Sequence, residues 1–572
     1  MEDYLWEIAQ NNEEKLHLLI NEAGVTRPIA MVLENRGITP DKVYDFLNPS
    51  LESIGDPYLL PGTQKASERL WKAIHDGQRI IIHGDYDTDG ITASALVAWV
   101  LRRNGGTVEC YLPHRIDDGY GLTPESIQKA SASCNDLLLT VDCGITSYEA
   151  VKIAKEKHLD LIITDHHTPG EEQLDVVAVV DPKLPGAPLE IQELAGVGVA
   201  FKICQAFLKY GHEMGYGGED TDLSQGLDLV ALGTVADIVP LLHENRILVK
   251  HGLSILAQQR RPGIHALCEI AGVNDTLSTP DITYRLAPRI NATGRMGDPT
   301  DSLKLLESSS MVSATELAHV LDQQNRERQT IEEAVVKAAE EQIAQRCDLK
   351  TIRSLVVWAD DWHQGVVGIV ASRLTRRYHR PSVVLTRDPS GQYTGSARSI
   401  RRLNLVDLLG ECKDTLLRFG GHAMAAGLSL TEDKLLDFCK QFDEAVQRVL
   451  GIESMKPQLN VCGEVFFKEL DGIFFEELHM LEPFGHGNPE PLFISRNVTP
   501  EGMLRRAGTI HCRGILHDSQ GGSMPFIAFG RQPSEFPPPP WDIVYTPHIN
   551  HFNGMSTPQL RLLDVKKASN EY

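Results

Sequence analysis

The segment His83-Gly84-Asp85-Tyr86-Asp87-Thr88-Asp89-Gly90 follows the apolar run RIII and sets three carboxylates at alternate positions just beyond it. In an extended chain alternate residues point to one side, so these charges would converge and repel. A bound cation is the natural counter-charge, and an Asp-rich turn without a ligand is the plainer alternative. The pattern recurs where LLLTV runs into Asp142 and where LDLIIT runs into Asp165-His166-His167. Asp237 interrupts the apolar, helix-like run LVALGTVADIVPLL, where an unpartnered carboxylate is costly to bury, although a structural ion pair would also explain it. Asp87, Asp89, Asp142, His166 and Asp237 thus make an oxygen-rich donor set with an imidazole and no thiolate. Such donors favour Mg²⁺ or Mn²⁺ over zinc, and the imidazole tips the choice towards Mn²⁺. Two ions about 3.5–4 Å apart that share a carboxylate generate a hydroxide and stabilise a leaving oxygen, which is the chemistry of P–O bond hydrolysis.

Positioning these groups requires strands that end together. RIIIH, TVECYLP, DLLLTV, LDLIIT and VVAVVD are short, continuous Val/Ile/Leu runs, as expected of strands buried on both faces of a parallel sheet. ASALVAWVLRRNG and SYEAVKIAKEKH supply helices between them, so the block is predicted to be doubly wound α/β, with ligands at the carboxyl ends of its strands. Residues 1–57, broken at Pro40 and Pro49, are expected to be an appended helical segment and 58–312 the catalytic domain. Residues 313–346 lack Pro and Gly and predict one helix about 51 Å long. That helix, within a connecting segment 313–350, would be a strut between domains, an ordinary surface helix being the alternative. A second, smaller α/β domain is expected over 351–452, and the Phe-rich residues 453–572, with prolines at 537–540, are expected to form an OB-like β-barrel.

The chain has 572 residues, with 55 Lys and Arg against 78 Asp and Glu, a formal charge of −23. This argues against polyanion binding over the whole surface, so any nucleic-acid contact must be local. Eight arginines between Arg373 and Arg402 supply a local basic stretch, of which Arg376, Arg377 and Arg387 also suit a merely solvated helix face. Arg505, Arg506 and Arg513, with Phe526, Phe529 and Phe552, mix cations and aromatics as single-strand binding requires, although barrel core accounts for the phenylalanines as well. The acidic start MEDYLWEIAQNNEEK has no signal-peptide pattern, and no apolar run approaches the roughly 20 residues that a bilayer demands. The ten cysteines are scattered without a CxxC pair, as expected of reduced thiols in a cytoplasm.

GDYDTDG, VDCG, TDHH and VALGTVADIVPL, in that order, resemble the DHH phosphoesterase superfamily. GYGL at 119–122, LAGVGVAFK at 194–202, RINATGR at 289–295, WHQGVVGIVASR at 362–373 and FGGHAMAAGLSL at 419–430 narrow the resemblance to its bacterial single-strand-specific DNA exonucleases. The resemblance implies a DHH catalytic domain, a DHHA1-type second domain and a DNA-binding OB-like domain. It makes Asp87 and Asp89 metal ligands, Asp142 the bridge between two ions, and His166 and Asp237 the completing ligands. His83 stands where the superfamily can place a metal-binding histidine and ranks below these, while Asp85 is left outside the set. Asp165 would orient His166, with His167 facing the ions or the substrate phosphate. Arg289, Asn291 and Arg295 would meet the scissile phosphate. Gly395 to Ser399 would form a phosphate-gripping turn, with Ser396, Arg398 and Ser399 on the DNA backbone. Arg373 is a further substrate contact, and His422, in the GGH element, would touch the scissile phosphate or leaving group.

The activity so implied is removal of mononucleotides from the 5′ end of single-stranded DNA by two-metal hydrolysis, in recombination and repair. A monomer is expected, working beside a single-strand binding protein and a helicase, with no membrane involved. Two alternatives stand: a phosphodiesterase of short oligonucleotides or cyclic dinucleotides, and a non-catalytic DNA-binding repair scaffold, whose signature would be loss of metal ligands.

Overall fold

The structure is a computed structural model that describes residues 4–114, 121–132, 137–218, 220–273, 276–451, 455–508, 510–552 and 555–568. Gly119 and Tyr120 of the GYGL motif, and the side chain of Phe552, lie outside the described residues.

Five strands form the first sheet, in the order Thr107–Tyr111, Arg79–Gly84, Leu137–Val141, Asp160–Thr164, Ala178–Val180, and every pairing is parallel. Ile80, Ile82, Leu137, Leu139 and Ile162 are wholly buried, which explains their unbroken apolar pattern: helices cover both faces of the sheet. The first strand in sequence lies between the second and third, so the connections depart in opposite directions at that point. A crevice opens there, beyond the carboxyl ends of Arg79–Gly84 and Leu137–Val141. His83 to Asp87 and Asp142 stand at that crevice because they are the residues on which these two strands end.

The predicted long helix is present and runs Met311–Arg346, about 54 Å at 1.5 Å per residue. It packs on the helices of the catalytic domain at one end and on Leu355–Ala359 and the helix Val367–Tyr378 at the other, which is the arrangement of a strut. The second sheet has the order Arg418–Gly421, Ala425–Leu430, Tyr393–Arg398, Ser382–Arg387, Leu355–Ala359, and only the last pair is parallel. The final domain orders seven strands from Gly463–Glu464 to Arg505–Ala507, and an additional pairing of Phe493–Pro500 with His511–His517 closes the sheet into a barrel. Phe526, Tyr545, Phe493 and Trp541 fill its interior.

Residues before 58 are not a separate appendage. Leu5–Ile8 is a strand that pairs in parallel with Gln458–Val461. The helices Glu13–Ala23, Arg27–Asn35 and Pro40–Leu47 bury Leu16, Leu19, Ile29 and Leu33 in one core with Phe474, Phe493 and Trp541 of the barrel. Their amphipathic pattern gave the helices, but not the partner that covers them, because a short apolar stripe carries no address. Arg246 is the pin between this body and the catalytic domain. It is 3% exposed, and its guanidinium donates to the carbonyls of Phe46 at 3.2 Å, Leu481 at 2.8 Å and Met480 at 3.0 Å.

Arg246→Ala removes donors from three carbonyls at once, and each buried orphan costs about 1–3 kcal/mol. The expected outcome is a loss of about 3 kcal/mol or more in urea unfolding; a variant within about 0.5 kcal/mol of the parent would show that water replaces the guanidinium.

Candidate metal centre and strand cleft

Asp87 caps the helix Thr88–Arg103, and its Oδ1 accepts from the amides of Asp89 and Gly90 at 2.9 and 3.1 Å. Asp89, in the first turn, is 1% exposed and is held from the other side by the start of the helix Gly196–Met214, whose Gly196 and Val197 amides donate to its two oxygens at 2.7 and 2.8 Å. The LAGVGVAFK motif therefore has a function in the site that sequence reading left unassigned. Gly196 is obligatory because a Cβ there would lie 2.5 Å from Asp142 Oδ1. Asp142 itself adopts φ 63°, a left-handed conformation that Asp and Asn tolerate better than other side chains.

The ring of His166 gathers the cluster. Its Nε2 lies 3.1 Å from Asp142 Oδ1, 3.7 Å from Asp237 Oδ2 and 3.9 Å from Asp89 Oδ2. Burial is the main force that pulls its pKa down to about 3, so the imidazole is neutral and offers a lone pair. The acids shift the other way. Burial, then the neighbouring charge of Asp87, raises Asp89 to about 7; burial, then Asp89 and Asp87, raises Asp237 to about 9; Asp142 rises well above the carboxylate range for the same reasons. Oδ1 of Asp142 is buried with no hydrogen-bond partner among the described residues. An orphaned oxygen among buried, mutually repelling acids fits a site for a divalent cation.

Among the described residues, three sets of side chains bring one donor atom each to within 4.8 Å of one another: Asp89, His166 and Asp237; Asp85, Asp87 and Asp142; and Asp142, His166 and His167. Asp142 belongs to two of them. Asp85, left outside the expected ligand set, is 3% exposed and enters the second group beside Asp87. His83 falls in none of the three; its buried ring lies against Tyr111, with Nδ1 3.7 Å from the thiol of Cys143.

Asp165 does not hold the ring of His166. Its Oδ1 accepts from the backbone amide of His166 at 2.7 Å and from Nδ1 of His167 at 2.7 Å, while Oδ2 accepts from the amide of Ile145 at 2.9 Å. Burial opposes both ionised forms of this pair, but the hydrogen bond and opposite charge outweigh it, so His167 titrates above and Asp165 below their ordinary ranges. The His167 ring lies 6.4 Å from that of His422, which reaches across from the second domain. Gly421 makes that turn possible: at φ 145° a side chain would meet Ala425 O at 2.4 Å.

Several expected phosphate contacts are engaged elsewhere. Arg289 pairs with Asp322 of the long helix at 2.9 Å and donates to Arg285 O at 2.6 Å, with its side chain 15% exposed, so it braces the strut. Asn291 uses its carbonyl oxygen to accept from Thr88 N and Oγ1 at 2.8 and 2.9 Å, which fixes the helix that carries Asp89. Arg295 donates to Gly365 O at 3.1 Å and so links the two α/β domains. Arg373 meets Glu332 at 3.0 Å, Arg377 pairs with Glu340, Arg387 with Asp360 and Glu432, and Arg380 donates to backbone carbonyls. Ion pairing thus consumes much of the arginine-rich stretch, a loss that composition does not reveal.

The expected gripping turn is instead the strand Tyr393–Arg398, flanked on both sides by antiparallel neighbours. Ser399 is buried and donates to Ile400 O and Leu403 O, so its hydroxyl is structural. Ser396 and Arg398 lie against the first turn of Val367–Tyr378: a Cβ on Gly368 would be 3.3 Å from Ser396 Oγ and 3.0 Å from a terminal nitrogen of Arg398. A hydroxyl, a guanidinium and a helix start converge there, the elements of an anion pocket. In the barrel, Phe526 is wholly buried core, whereas Phe529, Arg505, Arg506 and Arg513 are exposed. No helix among the described residues is long and apolar enough to cross a membrane.

The chain matches the DHH family N-terminal domain over residues 79–234, the DHHA1 domain over 351–448 and the RecJ OB domain over 463–564. It is 36% identical over 570 residues to the single-stranded-DNA-specific exonuclease RecJ of Bacillus subtilis, covering 98% of this chain and 70% of that one. It is 38% identical to RecJ of Dickeya dadantii, covering 90% and 92%. The crystal structure of Thermus thermophilus RecJ with Mn²⁺ superposes with a TM-score of 0.84 at 29% identity, over 99% of this chain and 80% of that one, and the structure with Mg²⁺ does so at 0.78. With strand-end acids, a bracing strut and a closed barrel in the same order along the chain, this protein belongs to the RecJ family of DHH single-stranded-DNA-specific exonucleases.

Proposed function

We propose that the chain degrades single-stranded DNA from its 5′ end to mononucleotides by hydrolysis at a pair of divalent cations, Mn²⁺ being favoured. The observation that carries this reading is the overlap of two donor groups at Asp142, with Asp85 and Asp87 on one side and His166 and His167 on the other, His166 being shared in turn with Asp89 and Asp237. Asp89, His166 and Asp237 would hold one ion, Asp85 and Asp87 the second, and Asp142 both. When bound, the cations lower the pKa of water and offset the charge of the phosphodiester.

The chain's own residues account for the rest. Neutral His166 supplies a donor without adding positive charge, and the Gly196 and Val197 amides keep Asp89 aimed into the crevice. His167, whose protonated form Asp165 favours, suits contact with a phosphate oxygen, and His422 faces it from the second domain. The Ser396–Arg398 pocket suits a 5′-terminal phosphate, which would set where the strand stops and hence the size of the product. Asn291 and Arg295 fit as positioning residues that hold the acid-bearing helix and the domain spacing. The same reading places a monomer in the cytoplasm, acting beside a single-strand binding protein and a helicase in recombination and repair; a site assembled within one chain supports the monomer.

Single-stranded and blunt duplex oligonucleotides labelled at either end, incubated with Mn²⁺, Mg²⁺ or EDTA, are the direct test. The expected result is metal-dependent release of mononucleotides from the 5′ end of the single strand alone; release from the 3′ end would overturn the polarity. Arg398→Ala should raise KM for 5′-phosphorylated strands about tenfold or more, the scale of one charge-assisted contact, while stabilisation by Mn²⁺ persists.

Metal stabilisation should also depend on pH. Acids whose folded pKa is raised bind protons more tightly folded than unfolded, so the metal-free site loses stability as pH climbs from the unfolded value of 3.8 through about 7 for Asp89 and about 9 for Asp237. A cation reverses that penalty and competes with fewer protons as pH rises. The Tm increment from Mn²⁺ over EDTA should therefore be larger at pH 8 than at pH 5.5, and should vanish in Asp142→Asn, which keeps the left-handed backbone. An increment that is equal at both pH values would contradict the assignment.

A further inference from the structure

The second sheet has two faces of different character. Directly paired residues share a face, and alternate residues along a strand return to it. On one face Ala397, Ala426 and Leu428 meet a buried core. On the other, Val384 is packed beneath the helix Val367–Tyr378, which rests on the strands Ser382–Arg387 and Tyr393–Arg398. Farther out on that same face, over Ala425–Leu430 and Arg418–Gly421, Gly427 and Gly420 are exposed.

Strand register arranges this open face in three rows. The first joins Arg398 through Ala425 to His422, whose amide donates to Ala425 O at 2.8 Å. The second is Ser396, Gly427 and Gly420, and the third is Thr394, Ser429 and Arg418. At about 3.4 Å per residue, successive rows lie about 6.8 Å apart. A Cβ on Gly420 would meet nothing within 4 Å, and one on Gly427 would meet only Gly395 O at 3.9 Å. Neither glycine has a positive φ, so neither packing nor backbone geometry demands them. Their effect is to leave a smooth shelf from the anion pocket at Ser396 and Arg398 to the third row.

Arg418 stands exposed at the far edge of that shelf. Its Nε donates to Ser429 Oγ at 3.2 Å, and it makes no ion pair among the described residues. Asp388, an acid that feels its charge, is engaged by the Ser390 hydroxyl and the Gln392 amide. Arg373, Arg377 and Arg387 of the same domain are each committed to a carboxylate, so an uncommitted guanidinium here is an exception. The second and third rows carry no aromatic ring, so they suit charge rather than a base. The first row looks towards the metal cluster, because His422 lies beside His167. A ligand that continues from the anion pocket to the third row therefore extends the 5′ end itself, away from the cut.

We propose that this shelf binds a 5′-polyphosphate: a strand that begins in a triphosphate sets its first phosphorus at Ser396 and Arg398 and its outer phosphates across Gly427 and Gly420 to Arg418. The proposal rests on the reading that places the 5′-terminal phosphate in that pocket, and it adds a substrate class, strands begun de novo from a nucleoside triphosphate. The hydrolysis balances as before. The oxygen of water bonds to the phosphorus between the first two nucleotides, the P–O bond to the first 3′ oxygen breaks, and that oxygen takes a proton from the water. The first product is then a nucleoside 5′-triphosphate, and the shortened strand carries an ordinary 5′ phosphate.

The test compares the parent with Arg418→Ala and Arg418→Lys on one single-stranded oligodeoxynucleotide bearing a 5′ monophosphate or a 5′ triphosphate, with Mn²⁺ in excess over phosphate. The parent should show a KM for the triphosphate strand no higher than for the monophosphate strand, and chromatography should identify a nucleoside triphosphate as the first product. Arg418→Ala should raise KM for the triphosphate strand about tenfold or more, the scale of one charge-assisted contact, and leave the monophosphate strand within about twofold. Arg418→Lys keeps the charge and should recover part of that loss. A parent that cuts the monophosphate strand but rejects the triphosphate would overturn the proposal, as would an Arg418→Ala loss that is equal on both strands. If the parent cuts neither strand, the exonuclease reading fails first. The shelf is then judged by anisotropy of the labelled strands in EDTA, where equal affinity of parent and Arg418→Ala for the triphosphate strand would refute it and a selective loss would support it.

Discussion

Mutual repulsion among buried carboxylates is the constraint on which this molecule is built. Asp85, Asp89 and Asp142 are each almost fully buried, with Asp87 and Asp237 close by, and in a medium of low polarity such a group can persist only if something else meets its charge. The fold meets part of it with dipoles. Two helices point their amino ends at the cluster, one capped by Asp87 and the other donating two amides to Asp89. The remainder is left for a cation, so the fold's local frustration and its chemistry have the same origin.

The surrounding architecture keeps that crevice from relaxing. Asn291 ties the acid-bearing helix to the helix behind it, Arg295 reaches the loop at Gly365, and Arg289 fastens the strut through Asp322. These polar residues, which a list of motifs groups with the substrate, hold two domains at a fixed spacing across the cleft. The distinction matters chemically: a guanidinium committed to a buried carboxylate cannot also neutralise a phosphate without releasing its partner.

What the sequence made legible follows from the range of the interactions. Strand ends, their acids and the long helix are local: continuous apolar runs followed by Asp or His announced the strands, and a stretch without Pro or Gly announced the helix. Asp85 was passed over because an extended reading of GDYDTDG gives its three acids equivalent positions, whereas the chain in fact turns into a helix at Thr88 and separates their roles. The partner of Asp165 was misassigned for a similar reason, since a turn brings its carboxylate to the ring of the second imidazole rather than the first. In the arginine stretch from 373 to 402, Arg377 and Arg387 pair with Glu340 and with Asp360 and Glu432, as a solvated face allows, while Arg373, expected on the substrate, meets Glu332, a partner 41 residues away that composition does not name. The pairing of Leu5–Ile8 with Gln458–Val461 had no signal at all, because a four-residue strand shows neither a period nor a turn that names its neighbour.

That last pairing bears on how the chain comes into being. Contacts such as Thr26 to Glu477 join residues 451 apart, and at about 5–20 residues per second a ribosome needs roughly 20 to 90 seconds to make the second after the first. Throughout that interval the leading helices, with Leu16, Leu19, Ile29 and Leu33, have no barrel to cover them, while the catalytic domain can already fold around its own core. A nascent chain can therefore assemble the crevice that gathers its acids before the barrel that covers Leu16, Leu19, Ile29 and Leu33 has been made.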